Sequence, residues 1–128
     1  MITDDWQYSP ERLRVEKHVL ELALAYKKSI IGISRGTQFL NVSLGGSIKK
    51  TDRHTTDHVV YYKDTTRKVC SRHSEYLDTI PPGVTVLARD AQGHCESWKL
   101  ENIACVLWHP ERMQDNWMPD EVESLLNF

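Results

Sequence analysis

Ile30-Ile31-Gly32-Ile33-Ser34-Arg35-Gly36-Thr37-Gln38-Phe39-Leu40-Asn41 is the stretch that decides the fold. Its first four residues are apolar on both faces of an extended chain, the pattern of a strand buried in a parallel sheet. From Arg35 the spacing changes: Thr37, Leu40 and Leu44 recur on one side of a helix that stops at Gly45-Gly46. A strand that turns within one or two residues into a helix is the building step of an α/β fold.

The same alternation extends outward. Upstream, Ser9 as cap, Pro10 at the first helical position and Glu11 in the first turn open another helix. Leu13, Leu20 and Leu24 mark one face of it, and Val15, Val19, Leu22 and Tyr26 the next, so its wide apolar surface is expected to cover a sheet. Downstream, Val59 to Tyr62 and Arg67 to Ser71 read as strands. Val84 to Arg89 and Cys95 to Trp98, joined by Asp90-Ala91-Gln92-Gly93, read as a hairpin. Ile103 to Trp108 is a second strand apolar on both faces, and Pro119 starts a closing helix through Val122, Leu125 and Leu126. The expected architecture is α/β, a parallel sheet with helices and a late antiparallel hairpin.

Composition excludes several classes. The chain has 128 residues, 16 Lys and Arg against 18 Asp and Glu, and a pI near 6.3, which leaves no basic excess for nucleic acid. Its apolar runs are too short to cross a membrane. Cys70, Cys95 and Cys105 form no CxxC pair, so neither a disulfide framework nor a thiolate zinc site is signalled, and a reducing, cytoplasmic setting is expected. His54 and His58, four apart and near Asp52, suit a metal only if that segment were helical; it reads as a loop, and no metal or cofactor is assigned. Trp98 and Trp108 read as core, while Trp6 and Trp117 are candidates to cover an interface.

Two chemical groups stand at the ends of the two buried strands. Gly32-Ile33-Ser34-Arg35-Gly36 is G-x-S-x-G between a strand and a helix, the context in which a tight turn lifts a hydroxyl clear of the backbone. The following helix aims its N-terminal amides at the same spot. Trp108-His109-Pro110-Glu111 closes the other strand, so His109 leaves at the carboxyl edge where open α/β sheets keep their sites, and Glu111 is within reach of its ring.

Ile31 to Asn41 followed by Leu44-Gly45-Gly46 resembles the nucleophile region of class I glutamine amidotransferases, and of their γ-glutamyl hydrolase branch, peptidase family C26, whose elbow reads G-I-C-R-G-M-Q-x-L-N. Val106 to Glu111 is similar to that family's Q-W-H-P-E ending. Ser71-Arg72-His73 resembles its N-S-x-H substrate segment, and Asp90 to Glu96 its D-G-x-x-E hairpin. The resemblance implies a flavodoxin-like class I glutamine amidotransferase fold over residues 1–128. It also implies a nucleophile at Ser34, His109 as base and then acid, Glu111 orienting it, and the Arg35 N–H as an oxyanion donor. Gln38, Ser71, Arg72 and His73 would hold the glutamyl group of a small γ-glutamyl amide.

Three departures qualify this. The family's cysteine is Ser34 here, and a hydroxyl cannot be held as an anion beside an imidazolium as a thiol can, so activity is expected to be impaired. Family members carry further strands ahead of the helix near Ser9, so the chain is expected to be the C-terminal portion of the usual domain, its sheet completed by a partner or by self-assembly. The segment Cys70-Ser71-Arg72-His73-Ser74-Glu75 also differs from N-S-x-H-H-Q. The alternative to an enzyme is therefore a non-catalytic binding or assembly module on the same fold. A serine esterase is the third reading, although the order Ser, His, Glu differs from that of α/β-hydrolases.

Overall fold

The computed structural model describes residues 10–51, 56–72 and 74–126. Helix α1 (Pro10–Ala25) leads into strand β1 (Ile30–Ile33) and helix α2 (Arg35–Ser43), as the sequence predicts. Strands β2 (Ser47–Lys50), β3 (His58–Tyr62), β4 (Thr65–Val69), β5 (Glu75–Thr79), β6 (Thr85–Arg89), β7 (Cys95–Leu100) and β8 (Ile103–Val106) follow. A 3₁₀ turn at Pro110–Arg112, a short helix α3 (Asp120–Glu123) and a final 3₁₀ turn at Ser124–Leu126 close the described chain. No described helix is long and apolar enough to cross a membrane.

The main sheet has the order β1-β8-β7-β6-β3-β4. Only β1 and β8 run parallel, with Ile33 opposite Val106; the other neighbours are antiparallel, so antiparallel pairing extends beyond the one hairpin expected. The alternation along the last strand assigns its side chains to two cores. Ile103, Cys105 and Leu107 join Leu20, Phe39, Leu40 and Trp98 on one face, while Ala104, Val106 and Trp108 join Val60, Val69 and Val122 on the other. Trp98 and Trp108 are wholly buried, as expected. Trp117 stacks on Trp108 with centroids 5.4 Å apart, under the Arg67 guanidinium, so the ring packs within the chain; Trp6 lies outside the described residues.

β2 and β5 were not expected from the sequence. They form a separate antiparallel pair that contributes Ile48 and Leu77 to the first core. Asn41 binds them to the rest: its Nδ2 donates to the carbonyls of Ser47 (3.1 Å) and Thr79 (2.9 Å), and its Oδ1 accepts from the Trp98 indole (3.2 Å). Gly46 makes this close approach possible, because a Cβ there would lie 2.5 Å from both Asn41 Nδ2 and the Thr79 carbonyl.

α1 corrects one expectation. Leu20 is buried and Leu13 packs on the first core, but Val15, Val19, Leu22, Leu24 and Tyr26 are exposed, and only a narrow stripe of the wide apolar face meets the sheet. β1 pairs in parallel as read, yet no other described strand lies along its far edge, and Ile33 is exposed. Between α1 and β1 lies an open hollow of about 240 Å³ whose lining includes Val15, Val19, Ala23, Ile31 and Phe39.

Candidate active site

The parallel pairing of β1 with β8 brings their carboxyl ends to one edge, and with them Ser34 and His109. The carbonyl of Val106, last residue of β8, accepts both the Ser34 N–H (2.9 Å) and the Thr37 hydroxyl (2.5 Å). The elbow is thereby fastened to the strand that carries the histidine three residues later. Gly32 lets strand and helix close tightly: a Cβ on it would lie 2.7 Å from Leu40 Cδ1 and 3.1 Å from the Gly36 carbonyl carbon. Ser34 itself has φ 54° and ψ −108°, which turns the chain sharply between β1 and α2.

Ser34 Oγ lies 3.0 Å from His109 Nε2, and His109 Nδ1 lies 2.8 Å from Glu111 Oε2. A carboxylate only accepts, so Nδ1 carries a proton, and in the neutral ring Nε2 is left as acceptor for the Ser34 hydroxyl. Ser34 is buried and the His109 side chain is 16% exposed, whereas Glu111 stands half in solvent. Burial raises the Glu111 carboxyl, but the His109 hydrogen bond, the backbone amide of Glu111 and the charges of His109 and Arg112 together outweigh it and hold the group below its ordinary value of 4.5. The His109 N–H donates to the Cys70 carbonyl at 2.8 Å, and Pro110 starts the 3₁₀ turn that swings Glu111 back to the ring.

Arg35 opens α2 and carries its backbone N–H at the helix N-terminus beside Ser34. Gln38, one turn on, is buried, and its Nε2 has no hydrogen-bond partner among the described residues. Ser71 is wholly buried beside the Cys70 carbonyl that holds His109. Arg72 is exposed and donates to Asp57 Oδ1 at 2.8 Å, so its charge is already paired; His73 lies outside the described residues. Cys95 and Cys105 are buried and Cys70 half-buried; burial pushes the Cys95 thiol up to about 12 and Cys105 well above its usual range. His58 lies at the start of a strand with its Nε2 occupied by Glu96, and His54 falls outside the described residues. Among the described residues no cluster of three or more His, Cys, Asp or Glu could hold a metal. Sequence reasoning missed Thr37 as an elbow clamp, Asp57 as the partner of Arg72, and Glu96 as a buried charge.

The fold and this hydroxyl–imidazole pair define an α/β protein of the class I glutamine amidotransferase type. A glutamine amidotransferase structure from Thermotoga maritima superposes with a TM-score of 0.71 at 18% identity, covering 80% of this chain and 49% of that one. The profile of the peptidase C26 family matches residues 2–66, and the chain belongs to that family. Among curated proteins it is 28% identical over 106 residues to the gamma-glutamyl-CDP-amidate hydrolase of Campylobacter jejuni, and 28% over 114 residues to a glutamine-hydrolysing GMP synthase of Thermomicrobium roseum. Each match covers 81% of this chain, but the chain spans only 53% and 21% of those two proteins.

Proposed function

We propose that the chain carries the hydrolytic site of a γ-glutamyl amide hydrolase, with Ser34 as nucleophile, His109 as base and Glu111 as its orienting acceptor. The observation that carries this reading is the unbroken line from Ser34 Oγ through His109 to Glu111 at 3.0 and 2.8 Å. Ser34 Oγ attacks the γ-carbonyl carbon while its proton passes to His109 Nε2, and the oxyanion forms near the Arg35 N–H. His109 then gives that proton to the departing amine, and water attacks the acyl-enzyme with His109 again as base. Gln38, with its unpartnered buried donor, takes the glutamyl group together with the segment Ser71, Arg72 and His73.

The site works poorly as it stands, because a hydroxyl must be deprotonated during attack where the family's thiol enters as thiolate. Ser34→Cys is therefore expected to raise glutamate release from glutamine and γ-glutamyl amines above the parent, and His109→Ala in that background to remove on the order of 10²–10⁴-fold of it. A folded Ser34→Cys protein that releases no glutamate from any of them overturns this reading.

A second reading rests on a different observation: the exposed apolar side chains of α1 and the edge of β1 along which no other described strand lies. On it the chain is a non-catalytic assembly module whose sheet is completed by a second copy or a partner, in the reducing cytoplasm suited to its three free thiols. A compact monomer in sedimentation counts against it, and a tight dimer with no affinity for glutamyl ligands favours it over the enzyme.

A further inference from the structure

β7 contributes a carboxylate that the Ser34–His109–Glu111 line does not use. Glu96 is wholly buried, and its Oε2 lies 2.5 Å from Nε2 of His58. A buried carboxylate needs a countercharge or a proton. His58 supplies the first: its Nδ1–H donates to the Thr56 carbonyl at 3.2 Å, which directs its other nitrogen at Glu96. Burial alone would discharge this ring, but the hydrogen bond and charge of Glu96 from β7, with Asp90 from the β6–β7 hairpin, outweigh it and hold His58 above its ordinary 6.5.

The pair is tied to the candidate base by two routes. The Glu96 carbonyl accepts the N–H of Leu107 at 2.8 Å, two residues before His109. On the other side Asp57, which precedes His58, accepts from the Arg72 guanidinium at 2.8 Å, and the same Arg72 nitrogen donates to the Ser71 carbonyl at 2.7 Å. Arg72 first, then the Ser71 backbone and the Cys70 side chain, hold the Asp57 carboxyl below its usual range. The carbonyl of Cys70 in turn receives the His109 N–H. A buried ion pair is a weak source of net stability, and its use in such a chain of contacts is to specify geometry.

We propose that His58 and Glu96 are positioning residues for His109, a part-buried pair that fixes Asp57 and through it the Cys70–Arg72 segment against the strand end from which His109 projects. The inference rests on the hydrolase reading for its purpose, and its test is read on backbone protection rather than turnover.

The experiment is amide hydrogen exchange by NMR on the parent, His58→Ala, Glu96→Ala, His58→Gln and Asp57→Ala. The two buried truncations are expected to speed exchange at the His109 and Ser71 amides by about tenfold or more, while the Ser34 amide, bonded to Val106, keeps its protection. His58→Gln, which retains a donor toward Glu96, is expected to restore most of the protection. If the truncations fail to fold, Asp57→Ala at an exposed position decides, since it cuts the same link and is expected to free the same two amides. Unchanged protection at His109 in the folded variants, or a uniform loss across the protein, overturns the proposal. In the Ser34→Cys background the same variants are expected to lower kcat with KM little changed. Should that background prove inactive, the hydrolase reading fails while the exchange data still decide the positioning.

Discussion

Position 34 carries the side chain on which the proposed chemistry turns. Its oxygen already sits 3.0 Å from the imidazole, so the geometry for proton removal exists before substrate arrives. What the oxygen lacks is the low pKa of sulfur. In the proposed mechanism Glu111 controls how well the ring can compensate. Its carboxyl is held below 4.5 in the fold, so its hold on His109 is complete above about pH 4.5 and is lost only as pH falls through that lower folded value. A carbon-13 titration of the Glu111 carboxyl should show this depressed midpoint, and His109→Ala should return it toward 4.5. In the Ser34→Cys background Glu111→Gln is expected to lower kcat on the order of 10²-fold or more, because an amide can present its N–H to the ring and favour the wrong tautomer.

Among the elements, those that position Ser34 and His109 were the most legible. β1, α2, the β6–β7 hairpin and β8 announce themselves through runs apolar on both faces, a change of period and strong turn residues. β2 and β5 do not, because each offers a single buried apolar side chain, Ile48 or Leu77, and their place depends on Asn41 from a distant helix. Gly46→Ala should therefore destabilise the protein by about 1–3 kcal/mol, read from the urea midpoint, since the added methyl displaces Asn41 or the Thr79 carbonyl. Glu96 was illegible for another reason: a charged residue three positions after a hairpin glycine reads as exposed, and only the sheet order brings His58 over it. His58→Ala should cost about 1–3 kcal/mol by removing the imidazole that Glu96 Oε2 meets at 2.5 Å. Because the His58 pKa is raised in the fold, its contribution is complete below about pH 6.5 and lost as pH rises through the folded value. Denaturation midpoints of the parent should fall across that window, and those of His58→Gln should not.

At the scale of the whole molecule, α1 shows how far a sequence pattern reaches. Its wide apolar face was readable, but the surface that face meets depends on what else is folded beside it, and among the described residues only Leu13 and Leu20 find the core. Val19, 58% exposed, faces the same open hollow as Val15 and Ala23. Val19→Lys is expected to leave the unfolding midpoint within about 0.5 kcal/mol of the parent, as exposed substitutions do. In sedimentation it should weaken any concentration-dependent association; unchanged association would remove α1 from the contact.

The backbone at Ser34 sits at φ 54°, a conformation that glycine adopts freely and serine does not. Global stability and reactivity therefore pull this position in opposite directions. Ser34→Gly should abolish any covalent chemistry yet leave the unfolding free energy unchanged or higher by up to about 1 kcal/mol. Ser34→Gly thus separates, in one substitution, the proposed chemistry from what the backbone of this turn asks for by itself.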